Sequence, residues 1–283
     1  MKKITSLIVI AFLIIIAGCL STPPVVSTGE VIEKAEEKIS QIDLYVFAIG
    51  INEYQNKFFP DLKYAANDAK NICNFFKAQE GIFFRKVNTK LFSDNENMKP
   101  TTENILDNLY FFDDVSPYDT VIFYIASHRI INDGEFYLMT SDSEYNEDEG
   151  FVLESFINFN QILNALNKPS HKIIIIDTNS PEITREDITF IKACKDNQQA
   201  IESNLVNGGL LTASLLEAFE KAETGNNNEI TLKSLLNFVV NRVEELSDKK
   251  QTPVFNIASG ADDLIIGSRI NLKSIGINIP SIP

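Results

Sequence analysis

Positive charge is scarce in this chain: 25 Lys and Arg stand against 39 Asp and Glu in 283 residues, a formal net charge of −14. That balance disfavours nucleic acid and anionic lipid as partners of the folded part, and favours basic ligands. Cysteine is also scarce, and two of the three, Cys73 and Cys194, lie beyond the N-terminal region. Two are too few for a disulfide framework. Both sit in apolar stretches ("NICNFF", "FIKACK") and read as buried free thiols. Histidine occurs only as His128 and His171. The segment ETGNNNEITLKS (223–234) has the outline of a calcium loop. At the loop's side-chain ligand places it offers one carboxylate, Glu223, with Gly225, Asn227 and Ser234 at places three, five and twelve and Asn228 at place six. Calcium needs several oxygen ligands including a bidentate Glu, so this reads as a turn before a helix. No metal and no cofactor is expected, and no internal repeat or low-complexity domain is found.

An unbroken apolar run, Leu7 to Ile16, opens the chain behind Lys2 and Lys3. It is short for a spanning helix of about 20 residues and has secretory-signal architecture. Ile16-Ala17-Gly18-Cys19 resembles the lipobox of bacterial lipoproteins, which implies cleavage before Cys19 and a lipid anchor on its thiol. An uncleaved signal anchor is the alternative. Either way, the expected place is the cell envelope, extracytoplasmic, with the membrane as a partner. Loss of residues 1–18 would remove two lysines and no acid, taking the net charge from −14 to −16. Residues 19–42 read as a lipidated tether and stalk. LSTPPVVSTG is rich in Pro, Ser and Thr, and Ile32, Ala35, Ile39 and Ile42 follow at helical spacing.

One domain is expected over 43–270, with a tail at 271–283. DLYVFAIGI (43–51), RKVNTKLF (85–92), DTVIFYIAS (119–127), HKIIIIDT (171–178), ITFIKACK (188–195) and TPVFNIAS (252–259) read as strands. LKYAANDAKNICNFFKAQ (62–79) puts Ala65, Ala69, Ile72, Cys73 and Phe76 on one helical face. Further helices are expected at 101–112 behind a Thr cap, at 156–167, near 208–221 and at 231–246, with a small hairpin arm at 135–142. The pattern predicts an α/β three-layer sandwich: a six-stranded, mostly parallel sheet, doubly wound, with helices on both faces.

In such sheets, reactive groups gather at the carboxyl ends of the strands. The third strand ends in Ser127-His128-Arg129, the fourth in Asp177-Thr178-Asn179, the fifth in Cys194-Lys195-Asp196. If those strands are neighbours, the three ends share a cleft. His128 there suits a general base, because imidazole titrates near neutrality. His171 opens the fourth strand at its far end and reads as structural.

YVFAIGINEYQ…LKYAANDAKNICNFF, VIFYIASHR, DGEFYLMTSD, IIIIDTNS and CKDNQ follow in the order seen in caspase-like cysteine peptidases, the bacterial relatives of caspases and metacaspases. GGLLTASLLEAF, NEITLKSLLNFVVNRV and KQTPVF continue the resemblance, over roughly 43–267. The resemblance implies a caspase-like sandwich with a His–Cys dyad. Its His lies in Gly-His-Gly after the third strand, its Cys in Asp-x-Cys-x-Ser-Gly after the fourth.

On that likeness His128 falls on the dyad His, Asp177 on the Asp before the nucleophile, and Asn179 on the Cys itself. Arg129 takes the place of the Gly whose N–H helps hold the oxyanion. Pro181 and Glu182 stand where Ser and Gly would. A carboxamide cannot ionise to a nucleophile. The expectation is therefore a non-catalytic pseudopeptidase that binds or scaffolds at the cell envelope. One alternative is an active endopeptidase cleaving after basic residues through another nucleophile. Ser180 should point away from His128, and Cys194 lies where the family carries a Cys besides its nucleophile. Another alternative is a purely structural envelope lipoprotein. Asp177 and Asp196 match acidic positions that help metacaspase-like members read a basic side chain. They are the expected substrate-binding residues, with basic peptides or proteins as ligands, unless local backbone and Lys195 satisfy both.

Overall fold

A strand can bury four successive isoleucines only when both its faces are covered. Ile173–Ile176 do so in the computed structural model, which describes residues 42–168 and 171–280. Cys19, the signal segment and the tether lie outside the described residues. Ile173 and Ile175 pack on one side of the sheet, Ile174 and Ile176 on the other. Each fully buried Ile contributes about 1.5–3 kcal/mol.

The chain order is β1 (Asp43–Gly50), α1 (Ala65–Lys77), β2 (Lys86–Ser93), α2 (Thr102–Asp107), β3 (Thr120–Ala126), β4 (Arg129–Asn132), β5 (Glu135–Leu138), β6 (Glu144–Asn146), β7 (Gly150–Val152), β8 (Ile157–Asn158) and α3 (Phe159–Ala165). It continues with β9 (His171–Ile176), β10 (Thr189–Lys192), β11 (Glu202–Ser203), β12 (Gly208–Gly209), α4 (Leu210–Lys221), β13 (Glu229–Thr231), α5 (Leu232–Leu246), β14 (Val254–Asn256) and β15 (Ile265–Ser268). The main sheet runs β14-β10-β9-β3-β1-β2. All its pairs are parallel except β10 with β14, the edge. The expected α/β sandwich with six mostly parallel strands is the observed one.

Register sets the site. Ile125 on β3 lies opposite Ile176 on β9, and Ile176 opposite Lys192 on β10. The carboxyl ends of these three adjacent strands are therefore level, as the cleft requires.

The layers follow from side-chain spacing. α1 buries Ala65, Ala69, Ile72, Cys73 and Phe76 against the sheet face that α4 and α5 also cover. Ile105 and Phe112, the loop around Tyr54 and Phe59, and α3 cover the opposite face. Three expectations shift. The helix of 101–112 stops at Asp107 and resumes as a 3-10 turn, Leu109–Phe112. The helix near 208 begins at Leu210, because Gly208–Gly209 pair antiparallel with Glu202–Ser203. Leu272 and Ile277 are buried in the core, so the body extends past residue 270 into the expected tail. Among the described residues, no helix is long and apolar enough to cross a membrane.

Candidate ligand cleft

A cleft of about 360 Å³ opens over the level strand ends. His128 reaches it because β3 ends at Ala126 and the chain turns back as β4. The turn is fixed by bonds to the loop after β1. The His128 backbone N–H donates to the Tyr54 hydroxyl at 2.8 Å, and the two rings stack with centroids 5.1 Å apart. Burial pushes the Tyr54 phenol up, keeping it neutral. His128 Nε2 lies 2.8 Å from the carbonyl oxygen of Pro60. A carbonyl only accepts, so Nε2 carries a proton, which in the neutral ring leaves the lone pair on Nδ1.

The floor is acidic. Asp68, buried on α1, accepts the Gly209 N–H at 2.7 Å through Oδ2. Asp177 Oδ2 accepts from the Thr212 hydroxyl at 2.6 Å, with the Tyr124 hydroxyl at 3.4 Å. A Cβ on Gly209 would fall 2.8 Å from Asp177 Oδ2 and 3.2 Å from Asp68 Oδ2. One on Gly208 would fall 2.6 Å from Asp68 Oδ1. The Gly208–Gly209 pair is thus what lets both carboxylates crowd one backbone. Burial raises Asp177 to about 6, despite the bond from Thr212 that opposes the rise. Burial, then the charge of Asp177, raises Asp68 well above the usual carboxylate range. Glu202 adds a third carboxylate at the wall, accepting the backbone N–H groups of Lys63 at 2.9 Å and Tyr64 at 2.7 Å.

Asn179 is another of the lining residues. Arg129 Nε donates to its backbone oxygen and to its side-chain Oδ1, both at 3.0 Å. No cysteine lines the cleft among the described residues. Cys194 is fully buried and its thiol is pushed up to about 11, first by burial. Cys73 is also buried, with its thiol pushed up to about 12, and both thiols are free. Ser180 is buried, and its Oγ has no hydrogen-bond partner among the described residues.

The structure brings His128, Asp177 and Asn179 together but leaves Asp196 out. Asp196 is exposed, 3.8 Å from Lys192 Nζ, and does not line the cleft. The partner of Asp177 is Asp68. His171 lies at the opposite end of the sheet, where burial lowers its pKa. Asp68 had one signal in the sequence: it is the acidic residue on the apolar face of α1, between Ala65 and Ala69.

A family model described as "caspase domain" matches residues 45–265. No curated protein matches the chain. Among solved structures, a crystal structure of a protein from Geobacter sulfurreducens is similar, with a TM-score of 0.58 at 13% identity. The match covers 80% of this chain and 97% of that one. At that identity it speaks for the fold alone.

Proposed function

The chain belongs to the caspase-domain family, and from that premise we propose that it is a non-catalytic member, lipid-anchored at the cell envelope, that binds basic peptides or proteins without cutting them. The observation that carries the reading is Asn179, at the wall where the family's thiol would stand, held through both of its oxygens by Arg129. A carboxamide has no ionisable nucleophile to offer His128. An active endopeptidase would need another attacking group. Cys194 is a poor candidate, since burial disfavours its thiolate and it lies outside the cleft. Ser180 is buried away from the cleft lining.

The acidic floor supports a retained binding role. Asp68 and Asp177 give a desolvated pair of carboxylates, a match for the cationic end of Lys or Arg. A purely structural protein has no need to crowd two carboxylates against Gly209. The test is a thiol-reactive peptidyl probe with Arg as its terminal recognition residue. Reversible binding without covalent labelling is expected. Labelling of the wild-type protein, abolished by Cys194→Ala, would establish the peptidase instead. The anchor is tested separately: Cys19→Ser should move the protein from the membrane fraction to the soluble one.

A further inference from the structure

We propose that the rings of Phe58, Tyr145 and Phe151 form a docking shelf for a partner protein, one that presents a bulky apolar anchor flanked by lysines or arginines. The shelf shares no residue with the cleft lining. Phe58 leaves 56% of its surface exposed and Phe151 38%. Scattered apolar side chains on a surface are ordinary, but adjoining ones mark contact sites. These adjoin. Phe58 stacks on Tyr145 with ring centroids 3.7 Å apart, and Phe151 meets Tyr145 edge-on at 5.3 Å.

The shelf is built before any partner arrives. Tyr145 and Phe151 lie opposite each other on the β6–β7 hairpin, whose strands pair with one another alone among the described residues. Asn56 ties that hairpin to the loop after β1. Its Nδ2 donates to the Tyr145 carbonyl at 2.9 Å, and its Oδ1 accepts the Phe58 N–H at 3.0 Å. Beneath, the buried Phe59 and Phe156 already pack on Phe151, so the core does not need the outward ring of Phe58. Rings held in place in this way lose little freedom when a partner covers them, and aromatic anchors carry much of the energy of protein contacts.

Charge selects the occupant. The turn joining β6 to β7 carries Glu147, Asp148 and Glu149, all exposed and none with an ion-pair partner among the described residues. The cation beside Phe58, Lys57, is committed to Asp61 at 3.6 Å. An apolar shelf bordered by three carboxylates suits an apolar anchor set between cations. The same border repels an anionic membrane, and it would repel its own image across the two-fold contact of a second copy.

The chain has no tryptophan, so a tryptophan in the probe reports alone. The full chain is titrated with the acetylated, amidated peptide Lys-Arg-Leu-Trp-Leu-Arg-Lys, read by the blue shift of its tryptophan, and with a version in which Glu replaces every cation. The cationic peptide should bind, more weakly as salt is added, and the acidic one should not. Phe58→Ser should weaken binding at least about tenfold while leaving the thermal midpoint in place. Glu147→Gln, Asp148→Asn and Glu149→Gln together should remove most of the salt dependence, and Asp177→Asn should change nothing. No blue shift at about 1 mM cationic peptide overturns the proposal. Equal affinity for the acidic peptide overturns the charge assignment. Binding that Asp177→Asn abolishes and Phe58→Ser spares belongs to the cleft and overturns the shelf. Dimerisation abolished by Phe58→Ser, or displacement of the peptide by phosphatidylcholine vesicles, gives the rings to a second copy or to lipid and overturns it too. The comparison of the two peptides needs no variant, so misfolding of Phe58→Ser would not shield the proposal.

Discussion

His128 is anchored to Pro60 by a 2.8 Å bond from its Nε2 proton to a backbone carbonyl, and no carboxylate among the described residues takes that place. The bond ties the imidazole to the loop between β1 and α1. That loop is itself fixed, since Asn52 Oδ1 accepts the Ala66 N–H at 2.9 Å and the Asp61 carboxylate accepts the Tyr54 N–H at 3.1 Å.

With Nδ1 left as the basic nitrogen, Asn179→Cys should create a thiol of lowered pKa, read as faster alkylation below pH 8. His128→Ala should remove that effect. Peptidase turnover of the single variant should be weak or absent, because Arg129 replaces the Gly expected at the oxyanion and its side chain takes the room that Gly would leave, putting the backbone donor out of place. A missing oxyanion donor typically costs about 10²- to 10³-fold in rate. Asn179→Cys combined with Arg129→Gly should be the more active of the two. An introduced thiol that titrates like free cysteine with His128 present would show that the two positions do not face each other.

Burial raises Asp177 from 3.8 to about 6 in the folded chain, and raises Asp68 in the same direction. Between about pH 4 and 6 the folded protein therefore binds more protons than the unfolded one. The contribution of these two carboxyls to stability must fall as pH rises through that window. Asp177→Asn should flatten the fall and stabilise the protein at pH 7 by up to about 3 kcal/mol, since each tenfold difference in proton affinity between the folded and unfolded chain is worth about 1.4 kcal/mol. Urea midpoints at pH 4, 5.5 and 7 measure it. A variant that keeps the wild-type slope would mean Asp177 is not the group responsible.

The same protons link to binding. A cationic ligand favours the charged floor, so it must displace protons as it enters. Affinity for an arginine-terminated peptide should rise from pH 5 to pH 7.5. Calorimetric enthalpies should differ between buffers of different ionisation heat by the proton released. Affinity that is flat with pH, with buffer-independent enthalpies, would remove the carboxylate pair from the binding step.

Gly209→Ala puts a methyl group 2.8 Å from Asp177 Oδ2 and 3.2 Å from Asp68 Oδ2, where something must move. Overpacking of this kind costs about 1–3 kcal/mol. The loss should show as a lower thermal midpoint together with weaker ligand binding. Gly225→Ala is the control, since the nearest atom to its Cβ is at 3.9 Å.

Cys73 and Cys194 are buried, with thiols pushed up to about 12 and 11. Neither should react with a disulfide reagent at pH 8 until the protein is unfolded in guanidinium. Rapid native labelling of Cys194 would return it to consideration as a nucleophile.

Much of the fold was legible because its strands announce themselves. A four-isoleucine run has no polar face to show, so it demands cover on both sides, and the parallel sheet follows. The catalytic-end residues His128, Asp177 and Asn179 were legible for the same reason, since each lies just past a strand whose end could be read. Asp68 and Glu202 were not. An acid on the apolar face of α1 looks like an error in the pattern until Gly209, far along the chain, supplies its donor. Asp196 was misleading in the opposite way. It sits close in sequence to a strand end, but past Cys194 the chain runs out to solvent, and Asp196 meets Lys192 rather than the cleft. The break after Asp107 was equally hidden, because Leu109, Phe111 and Phe112 keep apolar spacing across it while the helix tightens to a 3-10 turn.

The sheet separates two packed layers, and the cleft draws on both. Its carboxylate floor belongs with Tyr124, Ala69 and Leu211 on one side, whereas Tyr54, which supports His128, and Phe59 packed on Tyr54 belong to the other. Asp177 of the floor and Asn179 of the rim follow one strand, β9, so a change in that loop reaches both.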